Sequence, residues 1–182
     1  MRPNLAAGAL AAGLLGTACS TPSRPSPSPP VSTTSSRGTS VDFDCSNPID
    51  TTTALPAGYS AVADAVAFDV STDLGSAEGS TGNAHRYFVK TGLGVRTGTS
   101  ATIEVPADLR SSVSIGWDNH GTPITANRIT IEGCPGTSGT WLWFPGGLSI
   151  ASARCVPLDV SSGDRHERVY LSAGASCPFG VA

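Results

Sequence analysis

Three histidines, five cysteines, and scattered serines and carboxylates are the residues through which this 182-residue chain could do chemistry. A hydrolase of the nucleophile-elbow type needs G-x-S-x-G, because a strained turn must lift the serine above the sheet. Gly75-Ser-Ala-Glu-Gly79 puts its serine in the wrong place, and Gly136-Thr-Ser-Gly139 is one residue too short. His85, His120 and His166 are far apart, with neither the H-x-H nor the H-E-x-x-H spacing that lets two imidazoles share a zinc ion. Asp164-Arg-His166-Glu167 reads as a charged hairpin tip facing water. Asp118-Asn-His-Gly121 reads as turn chemistry, with Gly121 free to take positive φ. Asp69-Val-Ser-Thr-Asp73 spaces its oxygens as a calcium loop would, but Leu74 and Ser80 stand where such a loop needs Gly and Glu. The glycines from Gly75 to Gly82 are not followed by the lysine of a P-loop and read as a flexible loop. No catalytic residue, metal site or cofactor is expected, and the chain is not read as an enzyme.

The aromatic residues are more suggestive. In Thr140-Trp141-Leu142-Trp143-Phe144 both faces of a strand would be apolar, with Trp141 and Trp143 on one side and Leu142 and Phe144 on the other. A simple sandwich buries one face of each sheet. The tryptophan face therefore either lies under a covering loop or offers a platform on which a glycan or peptide could stack.

The location of the protein is written at its start. Arg2 beside the α-amine, the apolar run Leu5 to Leu15 and the small residues Gly16-Thr17-Ala18 before Cys19 form an export signal. The run is too short to span a bilayer, which takes roughly 18 or more apolar residues. Leu14-Leu15-Gly16-Thr17-Ala18-Cys19 resembles the lipobox of bacterial lipoproteins, with Gly16 where the family pattern prefers Leu. The resemblance implies cleavage before Cys19, a lipid on its thiol and anchoring to the membrane. Ordinary cleavage after Ala18 would instead release a secreted protein with a free thiol. Cysteine arithmetic favours the lipid, since an odd thiol in an exported chain needs an explanation.

Residues 20–40 are Ser, Thr and Pro with two arginines and one apolar side chain, Val31. Such a segment cannot bury enough apolar surface to offset its conformational entropy, and it reads as a disordered tether. The domains are therefore a signal peptide over 1–18, a lipidated Cys19 and tether over 19–40, and one folded domain over 41–182. Arg2, Arg24 and Arg37 precede that domain, leaving it eight of the eleven basic residues and all fourteen acidic ones, a formal charge of −6. Nucleic acid, which selects a clustered basic face, is excluded as a partner.

The fold class is all-β. Alternating β-branched and apolar residues recur between turn signals, predicting about nine short strands: 62–70, 85–90, 101–105, 112–117, 128–132, 140–144, 148–151, 156–160 and 167–172. The inward sets would be Ala101, Ile103 and Val105; Val113, Ile115 and Trp117; and Val156, Leu158 and Val160. The alanine-rich stretch 59–67 has a short helix as its alternative. An antiparallel β-sandwich follows.

Four cysteines in an exported domain predict two disulfides. Three connectivities are open; Cys134 and Cys155 flank an expected hairpin at Pro145-Gly146-Gly147 almost symmetrically, so they are expected to pair. That leaves Cys45 with Cys177, stapling the ends of the domain.

The folded part also resembles a family of exported actinobacterial proteins without assigned function. The likeness rests on Tyr87-Phe-Val-Lys-Thr-Gly-Leu-Gly-Val-Arg96, Ile103-Glu-Val-Pro106, Ile115-Gly-Trp117, Trp141-Leu-Trp-Phe-Pro-Gly-Gly147, Cys155-Val-Pro-Leu158 and Cys177-Pro178. It implies fold and location, with no activity. The expected role is a non-catalytic binding module of the cell envelope, for a glycan, a peptide or another envelope protein. The alternatives are a structural surface protein without a small ligand, or a hydrolase whose residues meet only in three dimensions.

Overall fold

A computed structural model describes residues 39–71, 74, 78–80, 87–118, 120 and 124–178. Cys19, the tether up to residue 38, His85 and part of the tested calcium loop lie outside them.

The described residues form fourteen strands in three mostly antiparallel sheets, with one 3-10 turn at Ala107–Leu109 and no α-helix. The first sheet is ordered β1(Ser40–Asp42), β10(Arg128–Ile131), β8(Ala101–Glu104), β13(Arg154–Ser162), β14(Arg165–Ala173). The second runs β2(Asp50–Thr52), β11(Trp141–Phe144), β7(Leu93–Arg96), β4(Val66–Asp69), β3(Tyr59–Val62). The third runs β5(Glu78–Ser80), β6(Tyr87–Lys90), β12(Gly146–Ile150), β9(Val113–Trp117). The β1–β10 pair is parallel, and the other pairs are antiparallel.

Each of the nine expected strand segments holds a strand. The alternation behaves as the period-two rule requires: Ile103, Val105, Val113, Ile115, Val156, Leu158 and Val160 are almost fully buried, with Ala101 and Trp117 close behind. In the first sheet Ile129, Ile103 and Val160 stand in one cross-strand row facing the core. The adjacent outward row, Arg128, Glu104, Asp159 and Arg168, sets two carboxylates side by side with an arginine at each end, so that each carboxylate has an arginine beside it. Arg128 reaches Glu104 at 2.6 Å, Arg168 holds Asp159 at 2.6 and 3.0 Å, and Arg110 also pairs with Glu104. Exposed pairs of this kind contribute little stability, but they fix register, because a one-residue slip would turn the charges inward.

Three corrections arise. The predicted strand 62–70 is broken near its start: β3 and β4 form a hairpin over 59–69 across a turn in which Ala63 and Asp64 take φ of 52° and 55°, and the helical alternative for 59–67 does not form. Five short strands, β1, β2, β3, β5 and β7, lie largely or wholly outside the predicted segments.

The third correction concerns the disulfides, which join Cys45 to Cys134 and Cys155 to Cys177. The expected hairpin does not form. β11 pairs with β2 and β7, whereas β12 pairs with β6 and β9, so Pro145 carries the chain from one sheet to another. Nothing then draws Cys134 toward Cys155. The parallel register sets Asp42 beside Thr130, so Cys45 and Cys134 leave the same ends of two neighbouring strands. Cys177 returns past the end of β14, its amide donating to the Ser172 hydroxyl, and Ser172 is the register partner of Cys155.

The Pro-Gly-Gly motif serves close packing instead of a hairpin turn. Gly146 and Gly147 have φ of 154° and 155°, and a Cβ on them would lie 2.2 Å from the Gly116 carbonyl oxygen and 2.0 Å from that of Val89. Only glycine lets β12 fit between β9 and β6 at these points.

Candidate functional site

Both faces of β11 are buried. Leu142 and Phe144 enter the main core, and Trp141 and Trp143 form a second, smaller cluster with Ala67, packed by Leu55 and Tyr59. Each tryptophan is 7 % exposed. Trp143 donates its indole N–H to the Thr52 hydroxyl at 2.9 Å and meets the Tyr59 ring edge-on at 4.8 Å. Burial, and then the Asp69 carboxylate, raise the Tyr59 phenol above its ordinary 10.0, against a smaller lowering by the Gly92 backbone. Of the two readings of this face the structure shows the covered one and not the platform at Trp141 and Trp143: Leu55, in the segment before β3, and Tyr59 pack on it, and the two rings are core.

A different place is open. A groove of about 690 Å³ is walled by Val41, Asp42, Phe43 and Asp44 on one side and by Phe88, Lys90, Ile115, Gly116 and Trp117 on the other. Ile124, Thr125, Ala126 and Ile129 close one flank, and His120, Asp118 and Pro145 stand at the rim. The volume is that of a small-ligand site, in which an apolar floor supplies burial and a few polar groups supply orientation.

Each wall has a local cause. β1 is an edge strand, and beyond it Asp44 folds the chain by accepting the Ser46 amide at 2.8 Å and the Ser46 hydroxyl at 2.9 Å. These bonds, with His120 contributing less, hold the Asp44 carboxyl below its ordinary 3.8. On the far wall Trp117 is fixed by its N–H to the Thr91 carbonyl at 2.8 Å and by a tilted contact with Phe68 at 5.7 Å. Ile124 sits on Gly116, and Ile115 donates its backbone N–H to the Ala126 carbonyl at 2.7 Å, so the segment after residue 123 is laid along β9.

At the rim, His120 Nε2 lies 3.2 Å from Asp44 Oδ2 and 3.0 Å from the Asn47 side-chain amide. The His120 amide also donates to Asp118, while Asn119 and Gly121 of the predicted turn lie outside the described residues. The gathering of Asp44, Ser46 and Asn47 about His120 was not legible in sequence, since Asp44 and His120 are 76 residues apart. It lacks the order of a hydrolytic triad. The carboxylate stands between hydroxyl and imidazole, so Ser46 donates to Asp44, and among the described residues no hydroxyl donates to His120. His166 is exposed on the β13–β14 hairpin, register partner of Ser161, as the hairpin-tip reading predicts. Among the described residues no group of three or more His, Cys, Asp or Glu is placed to hold a metal ion.

The one lysine of the chain, Lys90, is exposed on this groove. It faces a rim carrying Asp42, Asp44 and Asp118.

Compared with protein-family models, curated proteins and solved structures, the chain matches none.

Proposed function

We propose that this protein is a lipid-anchored binding module of the cell envelope, tethered through Cys19, which binds its ligand in the groove beside β1 without transforming it. Two disulfides support an oxidising, extracytoplasmic setting. Among the described residues no helix is long and apolar enough to cross a membrane; attachment through the export signal and Cys19 is part of the proposal. The observation that carries the binding role is the groove: exposed Val41 and partly exposed Phe43, Phe88 and Ile124 over a buried floor, rimmed by charged groups. The His120 cluster supports binding over catalysis, because its carboxylate separates the hydroxyl from the imidazole.

The test is uptake of the neutral, environment-sensitive dye N-phenyl-1-naphthylamine by the full chain. Saturable binding at one site is expected, weakened at least tenfold by Val41→Trp, which fills the mouth from a position already 44 % exposed. A folded protein that takes up no dye has no usable groove, and the reading fails.

A further inference from the structure

We propose that the groove takes an extended peptide segment of a partner protein, which adds to the free edge of β1 and carries basic residues between apolar ones. The inference rests on the ligand-site reading above and specifies its ligand.

Among the described residues β1 pairs on one side only, with β10. The bonds to that neighbour use alternate residues: Phe43 donates to the Thr130 carbonyl, and the Thr39 carbonyl accepts from Asn127 and Arg128. In an extended strand successive residues turn their N–H and C=O to opposite sides. The amides and carbonyls of Ser40 and Asp42 therefore point to the open edge.

Four consecutive residues, Val41 to Asp44, line the groove. Side chains alternate across a strand, so one face alone could present only every second residue. The groove thus runs along the backbone edge of β1. An added strand would meet unpaired main-chain groups on one side, and every second side chain would enter the apolar space beside Phe43, Phe88 and Ile124, which are partly exposed. The edge from Ser40 to Asp42 spans about 10 Å at 3.4 Å per residue, so about three residues of ligand would pair with it and the flanking ones would lie along Phe43 and Asp44.

Charge selects among occupants. Among the described residues Asp42 and Asp44 stand at a rim with one ammonium, which favours a cationic ligand and disfavours a phosphate headgroup. A glycan would call for an exposed aromatic face, yet Trp117 is 4 % exposed with its N–H already committed to Thr91. A basic, alternately apolar peptide uses both the edge and the charges.

The experiment displaces the bound dye from the full chain with the heptapeptide acetyl-Thr-Val-Lys-Val-Thr-Val-Lys-amide. Its controls are a version with Glu for Lys and two versions N-methylated at one or the other set of alternate amides. Displacement by the Lys peptide is expected, with at least tenfold loss for the Glu version. One N-methylated version should lose at least tenfold and the other little, because only one set of amides faces β1. Asp42→Asn should weaken the Lys peptide severalfold more than it weakens the neutral dye. Dye binding with no displacement by the Lys peptide, or equal displacement by both N-methylated versions, overturns the strand-addition proposal and leaves the groove as a site for something else. Absence of dye binding overturns both.

Discussion

The burial of Trp143 over Gly94 gives a prediction whose sign can be worked out in advance. The two residues are register partners on β11 and β7, and a Cβ built on Gly94 would lie 2.8 and 2.9 Å from Trp143 Cζ3 and Cη2, and 3.1 Å from the Ala67 Cβ. Carbon atoms sit most favourably about 3.5 to 4.0 Å apart, so the indole would have to retreat by about 0.7 Å or more. Its N–H to Thr52 and its edge contact with Tyr59 oppose that movement. Gly94→Ala should therefore cost about 1 to 3 kcal/mol, the range for overpacking a core. The atoms in the way belong to the six-membered ring, which Leu lacks. Trp143→Leu alone should cost several kcal/mol, within the ~2 to 5 kcal/mol of large core truncations. In that background Gly94→Ala should cost about 1 kcal/mol or less, because only the Ala67 Cβ at 3.1 Å still crowds it and alanine has less unfolded-state freedom to lose. Urea unfolding of the four proteins of the cycle, followed by circular dichroism, measures the coupling, expected at about 1 to 3 kcal/mol. Additive effects would mean that the indole does not lie on Gly94. A Trp143→Leu penalty below about 1 kcal/mol would mean that the ring is not core.

The disulfides give a second expectation: non-reducing peptide mapping should recover Cys45 with Cys134 and Cys155 with Cys177. With sequence separations of 89 and 22, loop-closure entropy assigns them about 4.6 and 3.4 kcal/mol, so the double serine variant of the first pair should be the less stable by about 1 kcal/mol; recovery of Cys134 with Cys155 would refute the sheet assignment of β11 and β12. A third concerns pH. The Tyr59 phenol is raised in the fold, so its contribution is fully present below the ordinary tyrosine value of 10.0 and lost as pH rises through the folded value; Tyr59→Phe should flatten the alkaline fall in thermal midpoint, and an unchanged profile would place its cause elsewhere. A fourth tests the anchor: Cys19→Ser should shift the exported protein from the detergent phase to the aqueous phase in Triton X-114 partitioning, and an unchanged distribution would remove the lipid from the proposal.

How much of this was legible depends on the range over which each signal acts. β-Branched alternation is local, so the strands with an apolar inner row, such as β8, β9 and β13, could be read directly. β1 and β2 have three residues each and no buried side chain, because they are held by main-chain pairing to a neighbour and not by an apolar pattern. The hairpin 59–69 was obscured by alanines, which carry no strong preference for strand. It is specified instead by partners distant in sequence, since β4 pairs with β7 and Asp64 meets Arg165.

The disulfide error and the missed groove have one origin. Pro-Gly-Gly between two apolar segments is a turn signal when the segments pair with each other, and a packing signal when backbones must approach closely; local composition is the same in both cases. Which holds is decided by the carbonyls of Gly116 and Val89, far upstream, against which a Cβ at Gly146 or Gly147 would collide. Once β11 and β12 are assigned to different sheets, the cysteine pairing follows from the β1–β10 register and the tryptophan face is left inside. The open surface then moves to where an edge strand, β1, stands across from β6 and β9. The one local hint was Lys90, the sole lysine beside ten arginines. An ammonium is a compact, mobile charge, where a guanidinium is a planar fork suited to fixed pairing with a carboxylate. Arginines hold the outer row of the first sheet in register, and the lysine stands at the groove, among the described residues without an ion pair to hold it.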